Sequence, residues 1–270
     1  LVNDAILQKI VALAEVAPDD TVLEVGPGIG TLTMALLRHA GRVVSVERDA
    51  DLPAVLAETL APWADRFALV QKDALDLAAA DLSDALARLG APETAPGKLV
   101  ANLPYAVAAT VVLDYFEQFP SLESATVMVQ KEVADRMAAV PGTKNYGAYT
   151  VKLGLYVEPA GRFAVGPGNF FPPPRVKSAV IRLDRRAEQL PNDLRKATMI
   201  MADASFANRR KTIANSLKTY FSNPQTHDER MLACIPETLD CAGVSAKARG
   251  ESLEREAFIE LGKAYLAMHE

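Results

Sequence analysis

Four residues, Asn102-Leu103-Pro104-Tyr105, break an apolar run in a way that packing alone does not require. The stretch KLVANLPYAVAATVVL (98–113) climbs through Leu99, Val100 and Ala101, then presents an amide, a proline and an aromatic before the apolar residues resume. An amide oxygen and a backbone carbonyl aimed at one amine would accept both of its N–H groups and stabilise positive charge developing on the nitrogen. Pro104 restricts Leu103 to extended conformations, which makes the Leu103 carbonyl the second acceptor. Tyr105 adds a flat face on which an unpaired or flipped base can stack. The alternative is a strand-ending turn with a core tyrosine, and the choice depends on what shares that edge of the fold.

A second set of such residues lies upstream. The run TVLEVG (21–26) leads into Glu24-Val25-Gly26-Pro27-Gly28-Ile29-Gly30-Thr31. Glycines there let the backbone approach a ligand and open a helix whose N-terminus faces it. The spacing is not GxGxxG, because the third glycine comes one position early. Glu47 closes the next run, 21 residues after Gly26, where a carboxylate can accept both hydroxyls of a ribose. Asp73, in Lys72-Asp73-Ala74-Leu75, is placed to accept from an adenine amine. Each acid alone also reads as a strand-end cap or a surface charge. Together, beside a glycine turn, they describe an adenosine crevice. No Walker lysine pattern is present, which disfavours phosphate cradling.

These residues need a scaffold that brings strand ends together. Runs of β type at 21–26, 42–47, 67–73, 98–104 and 125–130 alternate with longer segments. Several of those, such as TLTMALLRHA and ADLPAVLAETLA, have helical apolar spacing. That is the rhythm of a doubly wound parallel α/β sheet with crossover helices. YVEPAGRFAVG and SAVIRL lack a helix of that length between them and read as an antiparallel addition at the sheet edge. Beyond Asp184 a charged stretch ends in Leu190-Pro191-Asn192, a linker in which Asn192 or Asp193 can cap a helix. Helical spacing follows, giving one domain over 1–187 and a second, helical one over 188–270.

The bulk properties limit the partners. A net charge of −5 and a pI near 5.4 argue against a protein that coats nucleic acid non-specifically. Two basic islands interrupt that balance. Gly161–Arg186 holds Arg162, Arg175, Lys177, Arg182, Arg185 and Arg186 against Asp184 alone, and Ser205–Lys218 holds Arg209, Arg210, Lys211 and Lys218 with no acid. They read as a local phosphate-binding face, or each as solvated surface. No apolar stretch reaches the roughly 18 residues of a membrane span, so no membrane partner is expected. Cys234 and Cys241 lack metal-ligand spacing and read as reduced, partly buried thiols, with no metal expected. The chain reads as a cytoplasmic monomer.

Glu24 to Gly30, with the acids that follow, resembles the S-adenosylmethionine-dependent methyltransferases. Asn-Leu-Pro-Tyr is similar to the [DNS]-x-P-[YF] signature of those that act on amines of nucleic-acid bases. NFFPPPRVKSAVIRL (169–183) resembles the F-x-P-P-P-[KR]-V-x-S-A-V segment of the KsgA family of ribosomal RNA adenine dimethyltransferases. QKEVADRM (130–137), NYGAYTV (145–151) and FANRRKTIANSL (206–217) also resemble that family.

The resemblance implies a Rossmann-like methyltransferase sheet, mainly parallel with an antiparallel edge, plus a small C-terminal helical domain. It implies dimethylation of N6 on two adjacent adenosines in the 3′-terminal hairpin loop of small-subunit ribosomal RNA, within an immature small subunit. Gly26, Gly28, Glu47, Asp73, Ala74 and Asn102 would contact the cofactor. Leu1 would be the last residue of a G-Q-x-F-L motif that helps to close over it. Asn102, Leu103, Pro104 and Tyr105 would form the catalytic turn. Phe170, on a loop stiffened by Pro172, Pro173 and Pro174, would face Tyr105 as a second aromatic wall; simple core packing is its other reading. Arg175, Lys177, Arg209, Arg210 and Lys211 would hold RNA phosphates. Ala214 stands where many relatives carry Arg. No general base is needed, because a methylated ammonium loses its proton to water, and His39, His227 and His269 occupy no catalytic pattern. The rivals are an Erm-type methyltransferase of large-subunit RNA and an assembly factor with dispensable catalysis.

Overall fold

The computed structural model describes residues 3–174 and 176–269. Helix α1 (Asp4–Leu13), capped by the Asn3 side chain, precedes a run of strands and helices. These are β1 (Thr21–Val25), α2 (Thr31–Leu37), β2 (Arg42–Glu47), α3 (Leu52–Thr59), β3 (Phe67–Gln71), α4 (Ala79–Arg88), β4 (Lys98–Asn102), α5 (Ala108–Gln118) and β5 (Ser124–Gln130). Helices α6 (Lys131–Met137) and α7 (Ala148–Gly154) follow, then strands β6 (Val157–Val165) and β7 (Ser178–Arg185). The remainder is helical: α8 (Asn192–Phe206), α9 (Ile213–Phe221), α10 (Glu229–Ala233), α11 (Ile235–Cys241) and α12 (Arg255–Ala267).

Among the described residues, seven strands form one sheet in the order β3-β2-β1-β4-β5-β7-β6. The first five are parallel, and β7 runs antiparallel to β5 from Ser124↔Asp184 to Gln130↔Ser178. Strands covered on both faces must be apolar throughout. Val22, Leu23, Val43, Val44, Leu99 and Val100 are accordingly fully buried. Edge strand β6 is largely exposed and carries Pro159 and Gly161, residues that an edge tolerates and a central strand does not. The order reverses between β1 and β4, and the carboxyl ends of strands at such a reversal are where open α/β sheets take ligands.

The chain divides into two compact units. One comprises Leu1–Ala134 and Glu158–Arg185, the other Asp135–Val157 and Arg186–Glu270. The expected division at 187/188 therefore needs an amendment: residues 135–157 leave the sheet unit. Tyr146 and Val151 share a core with Met201, Leu217, Phe221, Phe258 and Leu261, so this segment buries its apolar face among the C-terminal helices. Two smaller expectations also shift. Asn192 is the first residue of α8 and Pro191 holds the cap position. Cys241 is exposed rather than partly buried.

Candidate active site

Strand β1 ends in a turn whose left-handed backbone favours glycine. Gly26 takes φ +69° and donates its N–H to the Val46 carbonyl (2.9 Å), fixing the turn to β2. A Cβ built on Gly26 would lie 3.6 Å from Cδ of Pro104, so this turn packs on the Asn-Leu-Pro-Tyr segment. Gly30 takes φ +88° and opens α2, with Leu56 only 3.3 Å from where its Cβ would be. Beneath the turn, Glu24 is 1% exposed and its Oε2 accepts from Thr33 Oγ1 and Ser45 Oγ, each at 2.7 Å. Burial pushes this carboxyl up to about 7, against the lowering pull of the two hydroxyls. Glu24 thus ties β1, α2 and β2 together behind the glycine turn.

Beside the turn lies a crevice of about 240 Å³, lined by Val25 and Gly26, Val46 to Arg48, Lys72 to Ala74, and Pro104, Ala106 and Val107. The ends of β1, β2, β3 and β4 all contribute, so Gly26, Glu47, Asp73 and Ala74 come together as the sequence implies. Gly28, although it takes φ +56°, is not among the lining residues.

The two acids are held differently. Glu47 Oε1 accepts from the N–H groups of Arg48 (2.8 Å) and Asp49 (2.9 Å). Asp73 ends its strand run as a cap, its Oδ1 accepting from Leu75 N–H at 3.0 Å. Its Oδ2 pairs with Arg48 at 3.1 Å, and the Leu75 N–H and Arg48 together hold the carboxyl below the usual range.

Three further residues belong to this architecture and escaped the sequence reading. Arg48 lines the crevice, and Lys72 does so while pairing with Asp81 at 2.8 Å. Tyr115, fully buried on α5, donates its hydroxyl to the Ala74 carbonyl at 2.9 Å and holds the third wall in place. Burial also raises its phenol well above the ordinary tyrosine range, so it keeps the proton it donates.

The apolar run ends at Asn102 because Leu103 makes the last sheet contact. Its N–H donates to the Met128 carbonyl at 3.1 Å, and its side chain is buried. Pro104, with no N–H to continue the ladder, is exposed at the crevice, and its carbonyl accepts from Val107 N–H at 3.2 Å. Asn102 is half-buried at the end of β4. Tyr105 is half-buried, and its hydroxyl lies 2.7 Å from Ser178 Oγ, at the start of β7. The turn and the segment NFFPPPRVKSAVIRL are thereby joined.

Phe170 is half-buried against the core of the sheet unit, while its neighbour Phe171 is 85% exposed. Leu1 and Arg175 lie outside the described residues. Lys177 is exposed. Three of the six basic residues of the first island turn inward. Arg182 pairs with Glu15 and Asp184, and Arg185 donates to the Phe116 and Phe119 carbonyls at the end of α5. Arg186 donates to the Gly154 carbonyl. In the second island, Arg209 is engaged by Glu251 (3.0 Å) and the Thr143 carbonyl (3.2 Å), whereas Arg210 and Lys211 are exposed. Ala214 is half-buried against the helical core.

The family model described as ribosomal RNA adenine dimethylase matches residues 1–234. The chain belongs to that family. It is 43% identical over 262 residues to the ribosomal RNA small subunit methyltransferase A of Streptomyces griseus, covering 95% of this chain and 84% of that one. It is 40% identical to the protein of the same name from Rhodococcus opacus, covering 98% and 86%. Among solved structures, a dimethyladenosine transferase from Plasmodium falciparum shares the fold, with TM-score 0.79 and 22% identity over 100% of this chain and 98% of that one. The 23S rRNA methyltransferase ErmE aligns with TM-score 0.67 and 27% identity over 98% of each chain. Membership makes this chain an S-adenosylmethionine-dependent methyltransferase of ribosomal RNA adenine, on a Rossmann-like sheet with an antiparallel edge. Among the described residues, no helix is long and apolar enough to cross a membrane.

Proposed function

We propose that this enzyme dimethylates N6 of two adjacent adenosines in the 3′-terminal hairpin loop of small-subunit ribosomal RNA, acting on the immature subunit in the cytoplasm. The observation that carries the reading is the contact between the glycine turn and Pro104. It joins the segment that carries Asn102 and Leu103 to a crevice lined by two carboxylates, although of that segment Pro104, and not Asn102 or Leu103, lines the crevice itself. The curated relatives at about 40% identity, named for the small subunit, support the choice of RNA.

The crevice suits the proposed cofactor: a side-chain-free turn at Gly26 adjoins the carboxylates Glu47 and Asp73, acceptors for ribose hydroxyls and for an adenine amine. When bound there, S-adenosylmethionine would supply the methyl group from its sulfonium, the S–CH3 bond breaking to leave S-adenosylhomocysteine. The chain's own residues do the rest. The lone pair of an adenine N6 is delocalised into the ring and is a poor nucleophile. Asn102 Oδ1 and the Leu103 carbonyl accept its N–H groups, localise that lone pair and stabilise the positive charge that develops on nitrogen. Tyr105 and Phe170 hold the base by stacking once it leaves its RNA stack. The methylated nitrogen loses its proton to water, and after the first methyl one N–H remains for the second round.

A second reading, an Erm-type enzyme for large-subunit RNA, is favoured by the similarity to ErmE. Presenting immature small subunits and free large-subunit RNA together, with labelled cofactor, separates the two. Label in the small-subunit RNA supports the first reading, and label confined to the large-subunit RNA replaces it with the second.

A further inference from the structure

A second cleft, of about 260 Å³, opens at the other end of the sheet. Pro96, just before β4, helps to line it, so it lies at the amino end of that strand, a strand's length of about 17 Å from the turn at Asn102. Leu82 and Leu86 of α4, with Pro96 and Phe119, are its buried apolar lining. The hydroxyls around it are spent on backbone: Thr94 Oγ1 donates to the Ala91 carbonyl at 2.8 Å and Ser121 Oγ to the Pro96 carbonyl at 2.9 Å. The walls are fixed in the free protein. Arg185 donates to the Phe116 and Phe119 carbonyls, and the Phe119 ring packs edge-on to Tyr115 with centroids 5.1 Å apart.

The surroundings are acidic. Asp84, Glu93 and Glu117, each next in sequence to a lining residue, are exposed, and among the described residues none of the three has an ion-pair partner. From Ala74 to Glu123 seven acids stand against two basic residues, Arg88 and Lys98. Lys98 pairs with Asp20, and Arg88 donates to the Asp84 and Leu69 carbonyls.

We propose that this cleft docks an apolar side chain flanked by lysine or arginine, presented by a basic protein of the immature small subunit. The apolar lining asks for an apolar anchor, and a preformed pocket binds one without the cost of ordering its own walls. Unpaired acids beside the pocket repel RNA phosphates and attract a cationic segment. Proteins assembled on RNA carry such segments, because their lysines and arginines neutralise phosphates. The cleft and the catalytic turn lie at opposite ends of β4, so one can hold protein while the other faces RNA. The inference rests on the proposed small-subunit substrate and adds a protein contact to it.

The test compares affinity for immature small subunits with affinity for protein-free small-subunit RNA. It uses wild type, Ser83→Trp, which plugs the cleft from an exposed position of α4, and the double variant Glu93→Lys/Glu117→Lys, each checked for an unchanged thermal unfolding transition. Both variants are expected to bind subunits about tenfold more weakly. On protein-free RNA, Ser83→Trp should match wild type and the double variant should bind as well or better, since added cations favour RNA. Wild-type affinity for subunits in Ser83→Trp, or an equal loss on bare RNA, would overturn the cleft. Tighter binding of subunits by the double variant would show that the acids only repel RNA. A self-association of the wild type that Ser83→Trp abolishes would give the cleft to a second copy of the chain instead. Failure of the wild type to bind immature subunits at all would overturn the substrate reading and, with it, the docking site.

Discussion

The hydroxyls of Tyr105 and Ser178 lie 2.7 Å apart, a hydrogen bond that fastens the turn after β4 to the first residue of β7. Ser178 is itself fully buried, so each hydroxyl depends on the other. Replacing Ser178 by Ala frees the Tyr105 ring and leaves its hydroxyl unpaired. At a net worth of about 0.5–1.5 kcal/mol, the bond's loss should lower kcat about two- to tenfold. Tyr105→Phe should do the same, and the double variant should be no worse than either single one. Steady-state kinetics on RNA substrate checks this; additive losses would show that the two hydroxyls act separately.

Glu24 predicts a pH dependence of stability. Its folded-state value of about 7 lies above the ordinary 4.5, so between those pH values the folded chain holds a proton that the unfolded chain has released. Stability from this group is therefore greatest below pH 4.5 and falls as pH rises to 7, by roughly 3 kcal/mol. Glu24→Gln cannot ionise, so the difference in urea unfolding free energy between variant and wild type should move in the variant's favour over that range. A difference independent of pH would contradict the assignment.

Arg48 is 79% exposed and occupies the Asp73 oxygen that the cofactor's adenine amine would use. An ion pair this exposed is weakened by solvent and salt and contributes little. Arg48→Ala should tighten binding of S-adenosylhomocysteine by up to about fivefold and reduce its dependence on salt, measured by calorimetry. Weaker binding would mean that Arg48 holds the ligand rather than competing with it.

Gly26→Ala places a methyl group 3.6 Å from Pro104, ordinary contact, so the cost comes from φ +69° and from the crevice itself. The backbone term is about 1–2 kcal/mol, a fall of only a few degrees in Tm for a chain of this size. Cofactor affinity should suffer more, because Gly26 lines the crevice. Unchanged affinity in a folded variant would remove the turn from the binding site.

Much of this was legible in the sequence because parallel strands betray themselves. TVLEV, RVVSVE and KLVAN are short, apolar and closed by residues that do not belong in a core. Glu47, Asp73 and Asn102 could be placed at one edge from that position alone. What was not legible depends on contacts made far along the chain. Tyr115 reaches the Ala74 carbonyl across 41 residues, and Tyr105 reaches Ser178 across 73. Arg182 and Arg185 read as surface charge, yet their forks are absorbed by an ion pair and by helix-end carbonyls, targets that leave no local trace. Residues 135–157 sit between strands in sequence, and only the partners of Tyr146 and Val151 reveal that they join the helical core.

The most direct test incubates small subunits lacking the modification with saturating S-adenosylmethionine and either wild type or Asn102→Ala. Nucleosides from the 3′-terminal hairpin are then read by mass spectrometry. The account predicts N6,N6-dimethyladenosine with the wild type and none with a folded Asn102→Ala. Equal dimethyladenosine from both would contradict the role given to the Asn102 amide.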